Sequence, residues 1–412
     1  MDDAPPSFPI DDAVRASAAK AASRGLCDEC FGRLFGRRGH GLTNPERAAR
    51  LDEALGAPRV RSDPCPLCRG LFHRWELWVD RGARALEGWE VRRFGCGSRW
   101  DPEILAREES YWTEFGTSDG ESARSAFNRE WGKHLHERVG AEADPTSPEA
   151  VLLADLPMGL VEATVLPVFF SGRYRKLDRT LPQTRWPCRR CRGRGCEACG
   201  GTGKTYAESV EELVAAPILA ATGGEGTRFH GMGREDIDAR MLGRGRPFVL
   251  EILRPKRRTV DVGRLAGEIA TASAGRVEVL EFRSAEAPDV ARVKEASPQK
   301  SYRVDVVGAF DPEKVKEALP LLADRAIAQR TPTRVAHRRS DRVRSRRIVY
   351  ARLVEAGAGR VTLELRAEAG TYIKEWVEGD GGRTEPSLAG ILGVPLKVES
   401  LDVLEIHDSP EN

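Results

Sequence analysis

The sequence predicts an α+β protein of several domains, in which two cysteine clusters hold small loop-rich regions together. Its 412 residues exceed what one hydrophobic core normally organises. Helix-like segments prevail near the start and strand-like runs recur later, while eight of the nine cysteines form Cys-x-x-Cys pairs. We expect three domains, covering residues 1–70, 71–205 and 206–412.

The composition excludes some classes of protein. The 65 basic and 63 acidic residues leave a net charge of +2, so only local clusters of charge could indicate a polyanionic partner. No window approaches the roughly 18 consecutive apolar residues of a membrane span. The acidic, proline-rich start MDDAPPSFPIDD is unlike a secretory signal, so we expect a cytoplasmic protein whose cysteines bind metal.

The first two expected domains combine helices with strands. The segment DDAVRASAAKAASRGL predicts a helix, and LTNPERAARLDEAL predicts another, with Asn44 as N-cap, Pro45 at the first helical position and Glu46 in the first turn. Further on, LFHRWELWVD alternates in places, and SARSAFNREWGKHLHERVG has the pattern of a helix. The β-branched and aromatic residues of GLVEATVLPVFFSGRYRKL predict strand.

The third expected domain is predicted to be mostly antiparallel rather than a doubly wound parallel sheet. Helical stretches such as DPEKVKEALPLLADRAIAQ separate its strand-like runs, which are PFVLEIL, RVEVLEFRSA, SYRVDVVGAF, RRIVYARLVEAG and RVTLELRAEAG. The preceding GGTGKT is not a phosphate loop, because Ala198 occupies the position of the first glycine in that motif. We therefore expect no nucleotide cofactor.

Two sets of cysteines have the spacing of zinc ligands. Cys27, Cys30, Cys65 and Cys68 form two pairs that could supply the four thiolates of a tetrahedral ion. The 34 residues between these pairs are more than is usual, and two unrelated buried pairs are the alternative.

The second set is more specific. Cys188, Cys191, Cys196 and Cys199 follow the pattern CxxCx4CxxC, with glycines where the backbone must turn around an ion. Four thiolates leave no open position for a substrate water, so we expect both zinc sites to be structural. Cys96 is left over and is expected to be packed.

Two basic stretches predict contact with nucleic acid. Residues 330–347, RTPTRVAHRRSDRVRSRR, carry eight arginines and one acid, which favours phosphate contacts over the alternative of a solvated loop. The stretch SGRYRKLDRTLPQTRW adds aromatics that could stack on unpaired bases. Its candidate residues are Arg173, Tyr174, Arg175, Lys176, Arg179 and Trp186. For Trp186, packing in a core is an equal alternative.

The segment GMGREDIDARMLGRGRPF contains a candidate catalytic acid. Asp236 and Asp238 alternate with Ile237, so in an extended chain both carboxylates would lie on one face. They could bind metal or divide acid and base roles, but no third ligand is nearby and Arg234 and Arg240 flank them. An arginine beside a carboxylate keeps it ionised, which suits a nucleophile.

Four segments together resemble a known family: GREDIDARMLGRGRPF, KSYRVDV, QRTPTRVAHRR and AGTYIKEWVEGD. They resemble the tRNA pseudouridine synthases of archaea and eukaryotes that modify positions 54 and 55 in the T loop. PVFFSGRYRKLDRTLPQTRWPC and the second cysteine cluster resemble the archaeal branch. The resemblance, strongest from about residue 155 onward, implies a THUMP-like RNA-binding accessory domain in residues 71–205 and a pseudouridine synthase catalytic domain in residues 206–412.

The resemblance also implies roles for individual residues. Asp236 corresponds to the nucleophile and Asp238 to a structural neighbour. Tyr302 is similar to the tyrosine that packs on the target base, and Tyr372 to an aromatic residue in the floor of the site, although either could be an ordinary core residue. Lys374 stands where relatives often carry an arginine charge partner. The other residues expected to bind the substrate are Arg234, Arg334, Arg338 and Arg339.

The chemistry of this reaction suits the residues. Converting uridine to its C-glycoside adds and removes no group, so one ionised carboxylate that attacks C1′ or C6 suffices without a catalytic cofactor. The uridine must leave its stack at a cost of a few kcal/mol, which arginine contacts and a stacking tyrosine would offset. We therefore expect the T arm of tRNA as the partner.

Two other functions fit parts of the sequence. A zinc-stabilised, non-catalytic RNA-binding or chaperone-type module is suggested by CRRCRGRGCEACGGTG, which resembles the glycine-cysteine repeat of J-protein chaperones. However, only two units are present and no J domain precedes them. A THUMP-bearing methyltransferase would need a glycine-rich cofactor loop after a strand, which the sequence lacks. No pattern indicates the oligomeric state.

Overall fold

The computed structural model describes residues 8–338 and 340–408. The chain divides into two compact units, and the boundary along the sequence lies between Leu166 and Pro167. Three domains were expected. The first unit has no boundary near residue 70, because buried residues from Val14 to Val165 share one hydrophobic core. The boundary expected at residue 205 falls inside the second unit, since a strand of residues 168–176 pairs there on both sides. Strand partners so distant in sequence cannot be read from local pattern.

The first unit combines helices with a small sheet. Its helices are α1 (Asp12–Ala21), α2 (Asp28–Gly32), α3 (Asn44–Leu55), α4 (Trp75–Leu86), α5 (Pro102–Phe115) and α6 (Ala123–Val139), with 3-10 turns at Arg33–Phe35 and Leu71–His73. Its strands are β1 (Arg93–Arg99), β2 (Glu142–Ala143), β3 (Ala150–Asp155) and β4 (Leu160–Val165). The strand order is β2-β1-β3-β4; β1 runs parallel to both neighbours, and β4 is antiparallel to β3.

The segment LFHRWELWVD, which alternates in places, is mainly helical: it forms the 3-10 turn Leu71–His73 and the first half of α4. In α4 the buried residues Trp78, Val79, Gly82 and Leu86 recur at helical spacing and face the core. A Cβ atom at Gly82 would lie 3.1 Å from the Leu135 side chain, so this glycine lets α4 approach α6 closely. The alternating run was too short to distinguish the repeat of a helix from that of a strand.

The N-cap of α3 is Thr43, one residue before the predicted Asn44. The Thr43 hydroxyl accepts the Glu46 N–H at 3.3 Å, and the Glu46 carboxylate accepts the Thr43 N–H at 2.7 Å, forming a capping box. Asn44 is instead buried, and its amide contacts Glu121 at 3.3 Å and Arg47 at 3.0 Å. Threonine and asparagine both favour the N-cap position. The contacts of Asn44 with Glu121 and Arg47 leave this position to Thr43.

The second unit contains a larger sheet. Its strands are β5 (Val168–Lys176), β6 (Gly226–Gly231), β7 (Arg240–Leu253), β8 (Val277–Ala285), β9 (Gln299–Gly308), β10 (Ala326–Arg330), β11 (Val343–Gly357), β12 (Arg360–Ala367), β13 (Thr384–Glu385) and β14 (Leu396–His407). Its helices are α7 (Val210–Thr222), α8 (Val262–Ala272), α9 (Ala287–Glu295), α10 (Pro312–Leu322), α11 (Ile373–Glu378) and α12 (Leu388–Leu392), with 3-10 turns at Glu197–Cys199, Thr333–Arg338 and Asp380–Gly382.

Within the described residues this sheet has the order β13-β10-β11-β12-β9-β14-β7-β5-β8, with β6 also on β7. All pairs are antiparallel except β14 with β7, which confirms the expected mostly antiparallel α+β fold. Each of the five predicted strand-like runs lies mainly in a strand, whereas β14 was not singled out. The parallel contact pairs Arg240, the first residue after the loop that precedes β7, with Asp402 of β14.

Three of the residues that were predicted to contact RNA from the basic stretch are buried in β5. Tyr174 and Lys176 are fully buried and Arg173 is 6% exposed, because β5 lies between β7 and β8. The two partly exposed arginines of this stretch form ion pairs within the protein. Arg175 contacts Glu278 at 3.1 Å, and Arg179 contacts Asp402 at 2.7 Å. These cations therefore support the fold.

No helix in the ranges 8–338 and 340–408 has both the length and the apolar composition needed to cross a bilayer.

We expect Thr43→Ala to lower the free energy of unfolding of the first unit by about 1 kcal/mol, because the first N–H groups of α3 lose their acceptor. Thr43→Ser keeps the hydroxyl and should stay close to wild type. Urea unfolding followed by tryptophan fluorescence measures this, since six of the eight tryptophans lie in the first unit. Equal stability of the alanine and serine variants would contradict the assigned cap.

Candidate active site

The second unit contains a cavity of about 430 Å³ where the loop 233–239, strands β9 and β14 and the segment 370–374 meet. Six of the residues predicted from the sequence line this cavity: Arg234, Asp236, Tyr302, Arg334, Tyr372 and Lys374. Arg339 lies outside the described residues, as does the side chain of Arg338. The fold thus brings together residues that are up to 140 positions apart in sequence.

Asp236 lies in this cavity with its carboxylate between two cations. Arg334 Nη1 is 2.8 Å from Oδ1, and Lys374 Nζ is 4.0 Å from Oδ2. The Asp236 side chain is 27% exposed, so it lies neither in bulk water nor out of reach of a substrate. These charge-assisted contacts orient the carboxylate toward the cavity.

Arg334 is itself fixed by Glu375, which the sequence did not indicate as a site residue. Arg334 Nε is 2.6 Å from Glu375 Oε1, and the Glu375 side chain is only 7% exposed. Burial alone would lower the pKa of Arg334, but the hydrogen bond to Glu375 and the charges of Asp236 and Glu375 raise it above its usual value. Arg334 is therefore a permanent cation with one orientation.

Asp238 occupies a different environment from Asp236. Its side chain is 64% exposed and lies 2.6 Å from Lys374 Nζ. Partial burial opposes ionisation, yet the hydrogen bond and charge of Lys374 hold the pKa of Asp238 below its usual value. Residues 237–238 form a turn rather than extended chain, and both aspartates nevertheless approach the same lysine.

Arg240, one of the two arginines that flank Asp236 in the sequence, pairs with a different carboxylate. Arg240 begins β7 and binds Asp402 of the neighbouring strand at 2.6 Å. The Arg234 guanidinium lies 5.0 Å above the Trp186 ring, a cation–π contact. The position of Arg240 near Asp236 in the sequence therefore did not predict its partner, because Arg240 pairs with Asp402 of β14.

The two predicted tyrosines both line the cavity. Tyr302 is 8% exposed, and its pKa is raised to about 12, first by burial, with Arg246 opposing and the Asp236 charge adding to the increase. Tyr372 is held through its backbone: Gln329 donates to its carbonyl and accepts its N–H, both at 2.9 Å. Gln329 is fully buried, so this clamp fixes where the chain enters α11.

A buried network anchors the loop just before Asp236. Glu235 and Arg246 form an ion pair at 2.8 Å, and each side chain is 1% exposed. The Tyr174 hydroxyl donates to the Glu235 carboxylate at 2.8–2.9 Å. Gln183 Nε2 then donates to Tyr174 Oη at 2.8 Å and to the Gly233 carbonyl at 3.0 Å. Of the acids in this segment, Glu235 is thus the structural one.

Lys176 anchors the loop on the other side of Asp236. Its buried ammonium donates to the Leu181 carbonyl at 2.8 Å, the Ile237 carbonyl at 2.7 Å and the Asp236 carbonyl at 3.3 Å. Burial lowers the pKa of Lys176, with the charges of Glu235 and Asp238 partly opposing this effect. The backbone of Asp236 is consequently held from both directions.

Both cysteine clusters have the geometry of a four-thiolate metal site. In each, the four sulfur atoms lie within 4.8 Å of one another. A zinc tetrahedron with bonds of about 2.3 Å has edges of about 3.8 Å. The Cys27–Cys68 and Cys196–Cys199 sulfur distances are both 3.7 Å, and three backbone N–H groups donate to sulfur in the second cluster. These residues therefore fit a zinc ion.

The remaining cysteine lies outside both clusters. Cys96 in β1 packs against the core of the first unit, as expected from the sequence. Burial raises the pKa of its thiol to about 12. This residue is therefore an inert packing group.

Comparison with known proteins identifies relatives that cover more than nine tenths of the chain. Residues 169–407 match the family profile "Pus10, C-terminal", and residues 78–155 match "Pus10 THUMP domain, archaeal". The chain is 40% identical over 417 aligned positions to the tRNA pseudouridine synthase Pus10 of Methanopyrus kandleri, covering 93% of this chain and 95% of that protein. The protein of the same name from Methanothrix thermoacetophila is 39% identical over 444 aligned positions, which cover 98% of each chain.

Another relative, from Methanothermobacter marburgensis, is 42% identical over 392 positions, covering 93% of this chain and 95% of that protein. Among solved structures, a Cbf5-Nop10-Gar1 complex matches at a TM-score of 0.33 and 17% identity over 57% of this chain and 48% of that one, too distant to bear on function.

The fold and the matches define an isomerase with an accessory THUMP domain. The chain belongs to the Pus10 family of tRNA pseudouridine synthases. This confirms the resemblance of the four sequence segments, and the non-catalytic and methyltransferase alternatives are wrong.

We expect Glu235→Ala to lower the free energy of unfolding of the second unit by about 3–5 kcal/mol, because it leaves the buried Arg246 charge unpaired. Glu278→Ala is the matched control, since Glu278 pairs with Arg175 at the surface and should contribute about 0–1 kcal/mol. Urea unfolding of both variants measures the difference. Similar stabilities would contradict the structural role of Glu235.

Proposed function

We propose that this enzyme isomerises uridine to pseudouridine at positions 54 and 55 in the T loop of tRNA, with Asp236 as the nucleophile. One observation carries the assignment of Asp236: its carboxylate lies 2.8 Å from Arg334 in the cavity that Tyr302 and Tyr372 line. The two positions rest on the resemblance of the four sequence segments. A tRNA substrate also implies a cytoplasmic enzyme.

In the proposed reaction, an Asp236 oxygen forms a bond to C1′ or to C6 of the extruded uridine. The glycosidic bond to N1 breaks, the ring turns, and C5 bonds to C1′ while the carboxylate is released. C5 then loses its proton and N1 gains one, so the product has the composition of the substrate. Arg334 and Lys374 hold the carboxylate in place during these steps, and the fixed loop backbone limits its reorganisation.

The aromatic residues would hold the extruded base. Tyr302 and Tyr372 offer ring surfaces within the cavity, and stacking on an aromatic ring contributes about 1–3 kcal/mol per base. This is comparable to the few kcal/mol needed to extrude a nucleotide. Trp186 at the cavity wall, with Arg234 above it, provides a further surface for the flanking nucleotide.

The arginine run 330–347 supplies RNA contacts in this proposal, but not with all its members. Arg330 pairs with Asp341 at 2.6 Å and Arg347 with Asp324 at 3.1 Å, while Arg334 belongs to the catalytic site. We assign phosphate contacts in the T arm to Arg338, Arg339 and the exposed Arg342.

Each cysteine cluster holds one structural zinc ion in this proposal. The four thiolates of a cluster would fill the coordination sphere, so the metal would stabilise loops and take no part in the reaction.

We expect Asp236→Asn to abolish pseudouridine formation in a T-arm transcript while leaving RNA binding within about threefold of wild type, because only the attacking oxygen is lost. Asp238→Asn should keep measurable turnover, since Asp238 contacts Lys374 from a more exposed position. Pseudouridine mapping in transcripts with cytidine at position 54 or 55 tests the sites. Full activity of Asp236→Asn would overturn the assignment of the nucleophile.

Elemental analysis of the dialysed protein should give about two zinc ions per chain. The double substitution of Cys196 and Cys199 by serine should reduce this to about one ion, because two thiolates are too few for a structural site. Cys96→Ser is the control and should retain both ions. A count of one ion in wild type would show that one cluster is not metallated.

A further inference from the structure

Lys300 is a buried cation in the active-site cavity that the steps above do not use. It lies on β9 two residues before Tyr302, so both side chains are on the same face of the strand. Lys300 is 8% exposed and lines the cavity together with Asp236. A Cβ atom at Gly233 would be 3.8 Å from Lys300 Nζ, which places the ammonium against the loop that carries the nucleophile.

No carboxylate among residues 8–338 and 340–408 pairs with Lys300. On the adjacent strands its register partners are the apolar Ala367 and Ile406. Arg246 approaches from β7, but it is a like charge whose own partner is Glu235. Asp408, after β14, pairs with Arg173 instead.

An unpaired buried ammonium destabilises a folded protein, and such groups are concentrated at functional sites. The other charged or titratable groups that line the cavity are Tyr302 on the same strand, Arg234 and Asp236 on the loop, Arg334 on the 3-10 turn after β10, and Tyr372 and Lys374 in the segment 370–374. Burial, and then repulsion by Arg246, lower the pKa of Lys300 to about 8, with Asp408 opposing. Lys300 is thus charged at neutral pH and has donors available to a ligand.

We propose that Lys300 binds a carbonyl oxygen of the extruded uracil ring and stabilises the negative charge that this oxygen gains when Asp236 attacks. This inference rests on the proposed function and adds a catalytic residue to it. Charge stabilisation by a fixed donor in a water-poor site is typical of enzymes that generate an oxyanion.

The charge appears on the ring by either route of attack. If the Asp236 oxygen bonds to C1′, the electron pair of the C1′–N1 bond moves to the ring and spreads over N1, O2 and O4. If it bonds to C6, the electron pair of the C5=C6 bond spreads over C5 and O4. In both cases the charge disappears when C5 bonds to C1′, and Lys300 donates a hydrogen bond without losing its proton.

The test compares Lys300→Gln with Lys314→Gln, which removes an exposed lysine of the same unit. With saturating enzyme, Lys300→Gln should form pseudouridine about 10²–10³ times more slowly than wild type, as for loss of one oxyanion donor. Its affinity for the T-arm transcript should stay within about threefold, and Lys314→Gln should match wild type. Wild-type rates in Lys300→Gln would overturn the proposal.

A pH series distinguishes this role from simple support of the fold. The wild-type single-turnover rate should fall as pH rises through about 8, because the Lys300 ammonium is lost above its pKa. Lys300→Arg should keep its rate to higher pH, since a guanidinium remains charged. If the melting temperature of Lys300→Gln shows that this variant does not fold, the pH profile of Lys300→Arg still tests the proposal.

An alkaline decline identical in wild type and Lys300→Arg would contradict the proposal. A failure of the proposed function itself has a different signature. In that case wild type would form no pseudouridine in the transcript, or Asp236→Asn would remain active.

Discussion

The buried ion pair between Glu235 and Arg246 is the constraint on which the candidate active site depends. Both side chains are 1% exposed, and their charged groups lie 2.8 Å apart. A charge removed from water is tolerated only with its partner in place, so the loop before β7 must dock in one register. Asp236 is the next residue, and its position follows from that register.

The rest of the site is assembled on this fixed loop from distant segments. Arg334 comes from the 3-10 turn after β10, Tyr302 from β9, and Lys374 from the first turn of α11. Alternating charges connect them: Glu375 holds Arg334, which holds Asp236, which lies near Lys374. A site built in this way is oriented before a ligand arrives, so the proposed reaction would need little reorganisation.

The second cysteine cluster contributes to the cavity indirectly. The Cys188 N–H donates to the Gly203 carbonyl at 2.8 Å, and the Thr205 N–H donates to the Trp186 carbonyl at 2.9 Å. These bonds close the cysteine loop at its base, where Trp186 precedes it, and the Trp186 ring lies under Arg234. A loop whose four thiolates fit a metal ion can in this way hold one wall of the cavity without a hydrophobic core of its own.

Local pattern was sufficient for much of this protein. The two cysteine sets, the helix around Trp131 and the strand runs of the second unit follow from spacing and periodicity, which act over a few residues. The segment containing Asp236, and the motifs containing Tyr302 and Lys374, were recognisable as sequence.

Only the tertiary structure decided which polar residues face inward. Glu235, Asp236 and Asp238 are chemically similar neighbours, and their roles differ because one meets Arg246, one Arg334 and one mainly Lys374. The basic residues of β5 became structural because strands far apart in sequence cover both its edges. Pairing across a sheet depends on the whole chain, so charge burial is set by contacts that no short window of sequence contains.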